Sequence, residues 1–145
     1  MVYSGKFLEM ETPNLNGHKY TEKMVKKAIK KFNRQKEKFM LGKWHIDGIS
    51  CAYGTCDSDV QTCNLVDVSH KVIDIRIEGH NAICDIDILQ TPQGNMLQGL
   101  IDKGFKIAPC IVGTVDWETE KFELIRIDII PLDRAVWNDC ELKKI

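Results

Sequence analysis

Six cysteines and four histidines are the side chains of widest chemical reach in this 145-residue chain, because a thiolate is a nucleophile and soft metal ligand and an imidazole is a base near neutral pH. Cys51, Cys56 and Cys63 fall in one stretch, with no Cys-x-x-Cys pair and no histidine pair at finger spacing, a weak pattern for structural zinc. Asp57, Asp59 and Asp67 accompany them, at intervals that fit no EF-hand loop. The reading is therefore of no metal site and no cofactor. His18 and His80 sit in turns and His70 in a strand, where a structural or solvent-facing imidazole is the plain expectation.

The scaffold that must position these groups is bounded by composition. A 16.6 kDa chain is the usual size of one domain and buries roughly two-thirds of the surface its unfolded form exposes. With 43% hydrophobic and 28% charged residues and a net charge of -1, it is neither core-poor enough for disorder nor charged enough to coat nucleic acid. No apolar run approaches the roughly 18 to 20 residues of a bilayer span, and Met1 to Pro13 lacks the pattern of a secretory leader. The expectation is a soluble, unsecreted protein with no membrane partner and with reduced thiols.

Periodicity then orders the elements. Val2 to Met10 reads as a strand, and Glu11 to His18 is a run of turn formers. Thr21 offers an N-cap to a helix ending near Lys36, with Met24, Val25, Ala28, Ile29 and Phe32 on one face. Phe39 to Ile46 reads as a short strand and Asp47 to Thr62 as a long loop. A hairpin turns at Glu78 to Asn81, and Ala82 to Leu89 alternates strictly, with Asp74, Arg76, Asp85 and Asp87 facing solvent. Thr91 and Pro92 start a second helix that turns Met96, Leu97, Leu100 and Ile101 inward and stops at Gly104. Phe105 to Val115 and Lys121 to Ile130 are two further strands, the second ended by Pro131. The fold class is α+β: a mostly antiparallel sheet or barrel with two covering helices. Residues 1–131 form the domain and 132–145 a C-terminal tail, whose Trp137 either packs or meets a partner.

Charge is segregated. From residue 21 to 38 there are eight basic residues, including Lys23, Lys26, Lys27, Lys30, Lys31 and Arg34, against Glu22 and Glu37. A solvated face is the bland account, and docking on an acidic protein surface is the sharper one. Nucleic acid is the weaker partner, since no aromatic stacking pattern accompanies the lysines.

Several segments, in order, resemble one family. Asn14 to Tyr20 is similar to an Asn-x-Asn-Gly-Arg-x-Tyr lead-in to a helix. Val68-Ser-His70 is similar to a Val-Ser-His strand, Ile88 to Gly94 with Gly104 to Ile107 to a Leu-x-Thr-Pro-x-Gly … Gly-x-Lys passage, and Ile125 to Pro131 to a closing strand. Together they resemble the prohead core proteases of tailed bacteriophages, serine peptidases related in fold to herpesvirus assemblin. The resemblance implies a bacteriophage protein, assembled in the host cytoplasm, with capsid or other head proteins as partners.

The same resemblance locates the chemistry. The family carries a catalytic histidine in a Gly-Glu-Leu-Asp-His-Pro-like segment and a nucleophilic serine in a Gly-Ile-Ser-Ser-Arg-Gly-like strand. The matching stretches here are Leu41 to Gly48, containing His45 and Asp47, and Lys106 to Gly113, with Cys110 at the first serine and Val112 at the arginine. Cys110 as nucleophile, His45 as base and Asp47 as orienter would make a cysteine peptidase cutting capsid or scaffold precursors. Against it, Ile111 and Val112 suit a packed cysteine, and Pro109 lacks a backbone donor where an oxyanion needs one. The expectation is a catalytically degenerate member: a virion decoration, cement or assembly protein that binds the capsid or another virion protein, or a second copy of itself.

Overall fold

The computed structural model describes residues 1–34, 41–42 and 68–145. Its strands in chain order are β1 (Val2–Glu9), β2 (Leu41–Gly42), β3 (His70–Glu78), β4 (Asn81–Ile88), β5 (Ile107–Asp116), β6 (Lys121–Pro131) and β7 (Lys143–Lys144). Helix α1 is Glu22–Arg34 and α2 is Pro92–Asp102.

β4 shows most directly how pattern becomes structure. Ala82, Cys84, Ile86 and Ile88 are buried, while the alternate Ile83, Asp85 and Asp87 are not, because successive strand side chains point to opposite faces. β4 is the centre of a five-stranded sheet ordered β2-β3-β4-β1-β7. Its hairpin with β3 closes through Gly79 at φ 62°, a backbone conformation that costs glycine little. On the outer face Arg76 holds Asp74, Glu78 and Asp85 at 2.9 to 3.2 Å. A bulge between Val72 and Asp74 turns Ile73 out to solvent.

β5 and β6 form a separate antiparallel ribbon, with β6 beside β2 and α1 and β5 beside β1. Sheet and ribbon therefore share one core. Every residue of β6 from Leu124 to Pro131 is buried, as expected of a strand covered on both faces. α1 starts where the Thr21 hydroxyl accepts the Met24 N–H at 3.2 Å, and it buries Met24, Val25, Ala28, Ile29 and Phe32. α2 starts at Thr91, whose hydroxyl accepts the Gly94 N–H. It ends with Gly104 at φ 96° and the Gly104-to-Ile101 and Phe105-to-Leu100 hydrogen bonds of a Schellman stop.

The α+β architecture matches the sequence reading, but one local expectation needs correction. Of the α2 stripe, Leu97 is fully buried and Ile101 partly so, whereas Met96 is 57% and Leu100 38% exposed. The helix docks through Gly94, packed on the Leu89 and Ser69 carbonyls, so only a narrow strip meets the core. Residues 132–145, read from sequence as a C-terminal tail that either packs or meets a partner, pack onto the domain. β7 pairs with β1, the Leu142 N–H donates to the Ile107 carbonyl at 2.9 Å, and Trp137, Cys140 and Leu142 are buried. Of the strand expected at 39–46, Leu41–Gly42 is seen paired to β3; its other residues, and the loop after it, lie outside the described residues.

Candidate active site at Cys110

The described cysteines differ sharply in setting. Cys84 and Cys140 are core residues, 0% and 1% exposed, and burial pushes both thiols above the ordinary cysteine value, which suppresses thiolate chemistry. Cys110, on β5, is only half-buried. It lines a cavity of about 90 Å³ with Asn14, Asn16, His18, Tyr20, Arg134 and Trp137 among its walls.

One wall is made by the loop before α1. The Asn14 side-chain oxygen accepts the backbone N–H groups of Asn16 and His18 at 2.9 and 3.0 Å, and Gly17 takes φ 80°. This is how an asparagine-glycine segment curls without a helix or strand to satisfy it. The loop returns to Tyr20, whose carbonyl accepts the Glu11 N–H at 2.7 Å. Trp117, from the β5–β6 turn, stacks on His18 at 4.7 Å and meets the Tyr20 ring edge-on at 5.1 Å. Tyr20 also meets Phe122 at 5.1 Å and Trp137 at 6.2 Å. These aromatic contacts pin the loop, the ribbon and the C-terminal segment together. Burial first, and then the Cys110 charge, push the Tyr20 phenol up to about 12, so it is a neutral donor near pH 7.

A polar core lies across the ribbon from Cys110. The β5–β6 register places Cys110 opposite Asp128 and Val112 opposite Arg126, and directly opposed residues project from the same face. Arg126 and Asp128 are 2% and 0% exposed and pair at 2.9 Å. His70 is also fully buried. Its Nδ1 lies 2.8 Å from the Ser69 hydroxyl and its Nε2 2.8 Å from the Ile127 carbonyl. Desolvation lowers its pKa, so the neutral ring donates from Nε2 to the carbonyl and accepts at Nδ1 from the hydroxyl. The Val-Ser-His segment thus serves as an internal tie between β3 and β6.

His45 and Asp47, the base and orienter expected from sequence, lie outside the described residues, as do Cys51, Cys56, Cys63 and the aspartates among them. Lys23, Lys26, Lys27, Lys30, Lys31 and Arg34 are all exposed on α1. Lys26 pairs with Glu22, and Lys31 with Glu123 at 3.6 Å; such surface pairs contribute little stability. Lys23, Lys27 and Lys31 also line a groove of about 560 Å³ against the β5–β6 turn. Trp137, offered by the sequence as a partner contact, is instead 7% exposed and belongs to the core, because the C-terminal segment folds back over β1 and β5.

Sequence reasoning missed two features. His18 and Tyr20 flank the Cys110 cavity, although the Asn14–Tyr20 segment reads from sequence only as a lead-in to a helix. The Arg126–Asp128 pair had a visible signal, since two charged residues alternate with isoleucines between Leu124 and Ile130.

No family model matches the sequence, and no curated protein matches it. A solved structure does match the fold. The bacteriophage T4 capsid assembly protease gp21 superposes with a TM-score of 0.67 at 17% identity, covering 89% of this chain and 80% of that one. The fold is prohead protease-like. At this identity the likeness is one of architecture, and it runs over most of the chain rather than a local motif.

Proposed function

We propose that this chain is a bacteriophage head-assembly component on a prohead protease-like fold, which engages the major capsid protein or another head protein through the basic face of α1 and remains with the particle without cutting its partner. The observation that carries the reading is the fold shared with a capsid assembly protease over most of the chain. The exposed face of α1 adds to it: six cations stand opposite the buried stripe while the chain as a whole is slightly acidic. Such a face attracts an acidic surface over roughly a Debye length, about 10 Å at 0.1 M salt.

Replacing Lys26, Lys27, Lys30 and Lys31 together with glutamine is expected to lower co-sedimentation with proheads about tenfold or more at low salt. Wild-type association should weaken as salt rises. Association unchanged by the four substitutions would remove α1 from the contact.

One observation favours a second reading, a cysteine peptidase: Cys110 opens onto a cavity, whereas Cys84 and Cys140 are packed away. Per-cysteine mass spectrometry after iodoacetamide treatment of native protein from pH 5 to 9 separates the readings. A peptidase gives fast labelling of Cys110 even at low pH, lost in His45→Ala. A binding protein gives a Cys110 that labels slowly and only at high pH.

A further inference from the structure

We propose that the groove between α1 and the β5–β6 turn binds an extended acidic segment of a partner protein, with carboxylates at alternate positions meeting Lys23, Lys27 and Lys31 and apolar side chains between them covering Val115 and Phe122. The inference rests on the proposed contact through α1 and narrows it from a charged face to one groove and one kind of peptide.

The spacing of the cations carries it first. Lys23, Lys27 and Lys31 line one wall of the groove of about 560 Å³, and residues four apart on a helix are separated by about 6 Å along its axis. Side chains on one side of an extended chain repeat roughly every 6.6 Å, so three alternate carboxylates reach three lysines. Among the described residues Lys23 and Lys27 enter no ion pair, whereas Lys26 and Lys31 do.

The charges on the facing wall leave these cations to a partner. Four lysines and three carboxylates line the groove, but Asp116 accepts the Glu118 and Thr119 N–H groups at 3.1 and 3.3 Å and is spent on the turn. Glu123 meets Lys31 at 3.6 Å, an exposed pair that an entering carboxylate can share at little cost. Glu120 is exposed near the tip of the turn, and Lys121, which lines the same groove, offsets it.

The rest of the lining selects a peptide over a chain of phosphates. Met24, Val115 and Phe122 give the groove an apolar strip, and Val115 and Phe122 are only partly buried. Alternate side chains of a strand laid in the groove remove that strip from water. A nucleic acid would neutralise the lysines through its phosphates and leave the strip uncovered.

Fluorescence anisotropy with the labelled peptide Glu-Val-Glu-Val-Glu at low salt tests the assignment. Lys23→Gln with Lys27→Gln is expected to weaken binding about tenfold. Lys26→Gln with Lys30→Gln removes the same charge from α1 outside the groove and should change binding less than about threefold. Glu-Ser-Glu-Ser-Glu, equal in charge but without apolar side chains, should bind the wild type about fivefold more weakly or worse. All four lysines are exposed, so the fold is retained, which a thermal melt checks. Equal effects of the two double variants, equal binding of the serine peptide, or no peptide binding by the wild type would each overturn the groove assignment. So would tighter binding of oligothymidylate, or self-association of the wild type that the Lys23 and Lys27 changes abolish. In any of these cases, lost prohead co-sedimentation in the variant lacking Lys26, Lys27, Lys30 and Lys31 would leave the α1 contact standing. Selective peptide binding beside prohead association that none of the substitutions alters would keep the groove and overturn the α1 contact.

Discussion

Arg126→Met is expected to destabilise the protein by about 3 to 5 kcal/mol, the range for breaking a buried ion pair from one side. Arg126 and Asp128 are 2% and 0% exposed, and β6 is buried on both faces from Leu124 to Pro131. Removing the guanidinium leaves a carboxylate in a low-dielectric interior with its principal counter-charge gone, beside a neutral His70. Little water can reach it. In a thermal melt the change should appear as a fall of roughly 10 °C or more for a domain of this size. The double variant Arg126→Met, Asp128→Leu should recover most of the loss, since apolar replacement of a whole buried pair is often neutral. A single-variant loss below about 1 kcal/mol, the scale of an exposed pair, would show that solvent reaches this strand.

The second large effect sits where α2 meets the sheet. A Cβ added to Gly94 would lie 1.9 Å from the Leu89 carbonyl oxygen and 2.8 Å from that of Ser69, and both obstacles are backbone. Gly94→Ala should therefore cost about 2 to 3 kcal/mol through overpacking, against the gain of up to about 1 kcal/mol that alanine normally brings to a helix. Gly99, five residues along the same helix, has nothing within 4 Å of its hypothetical Cβ. Gly99→Ala should accordingly stabilise by about 0.5 to 1 kcal/mol. Chemical denaturation of the two variants side by side should give shifts of opposite sign. Two shifts of the same sign would mean that α2 does not dock through Gly94.

Both predictions concern how the elements meet, and that is the level at which sequence and structure parted. Local chemistry made most of the elements legible. The α1 stripe, the alternation of β4, the turn at Gly79, the Thr91 cap and the Gly104 stop all depend on neighbours within a few residues. A residue's own chain segment supplies that information, so these features read directly from the order of side chains. The prohead protease-like architecture was legible for a related reason: the segments that carry the resemblance are turn, cap and strand sequences in a fixed order.

Only the tertiary structure decided which face of each element was covered and what stood across a gap. Periodicity put Met96 and Leu100 inside, but α2 is held at Gly94 and leaves them in solvent. A lone tryptophan in a polar stretch looked like a contact for a partner, yet Trp137 closes the core against Tyr20. Cys110 looked packed among apolar neighbours on its own strand. What opens a cavity beside it is a loop some ninety positions earlier in the chain, and such a distant neighbour leaves no trace in local pattern. In this protein the amino-acid sequence determined the elements, their order and the basic face of α1, because each follows from local preference. The tertiary structure decided the Cys110–Tyr20 cavity and the Arg126–Asp128 core, because burial and charge pairing arise only when segments distant in sequence pack together.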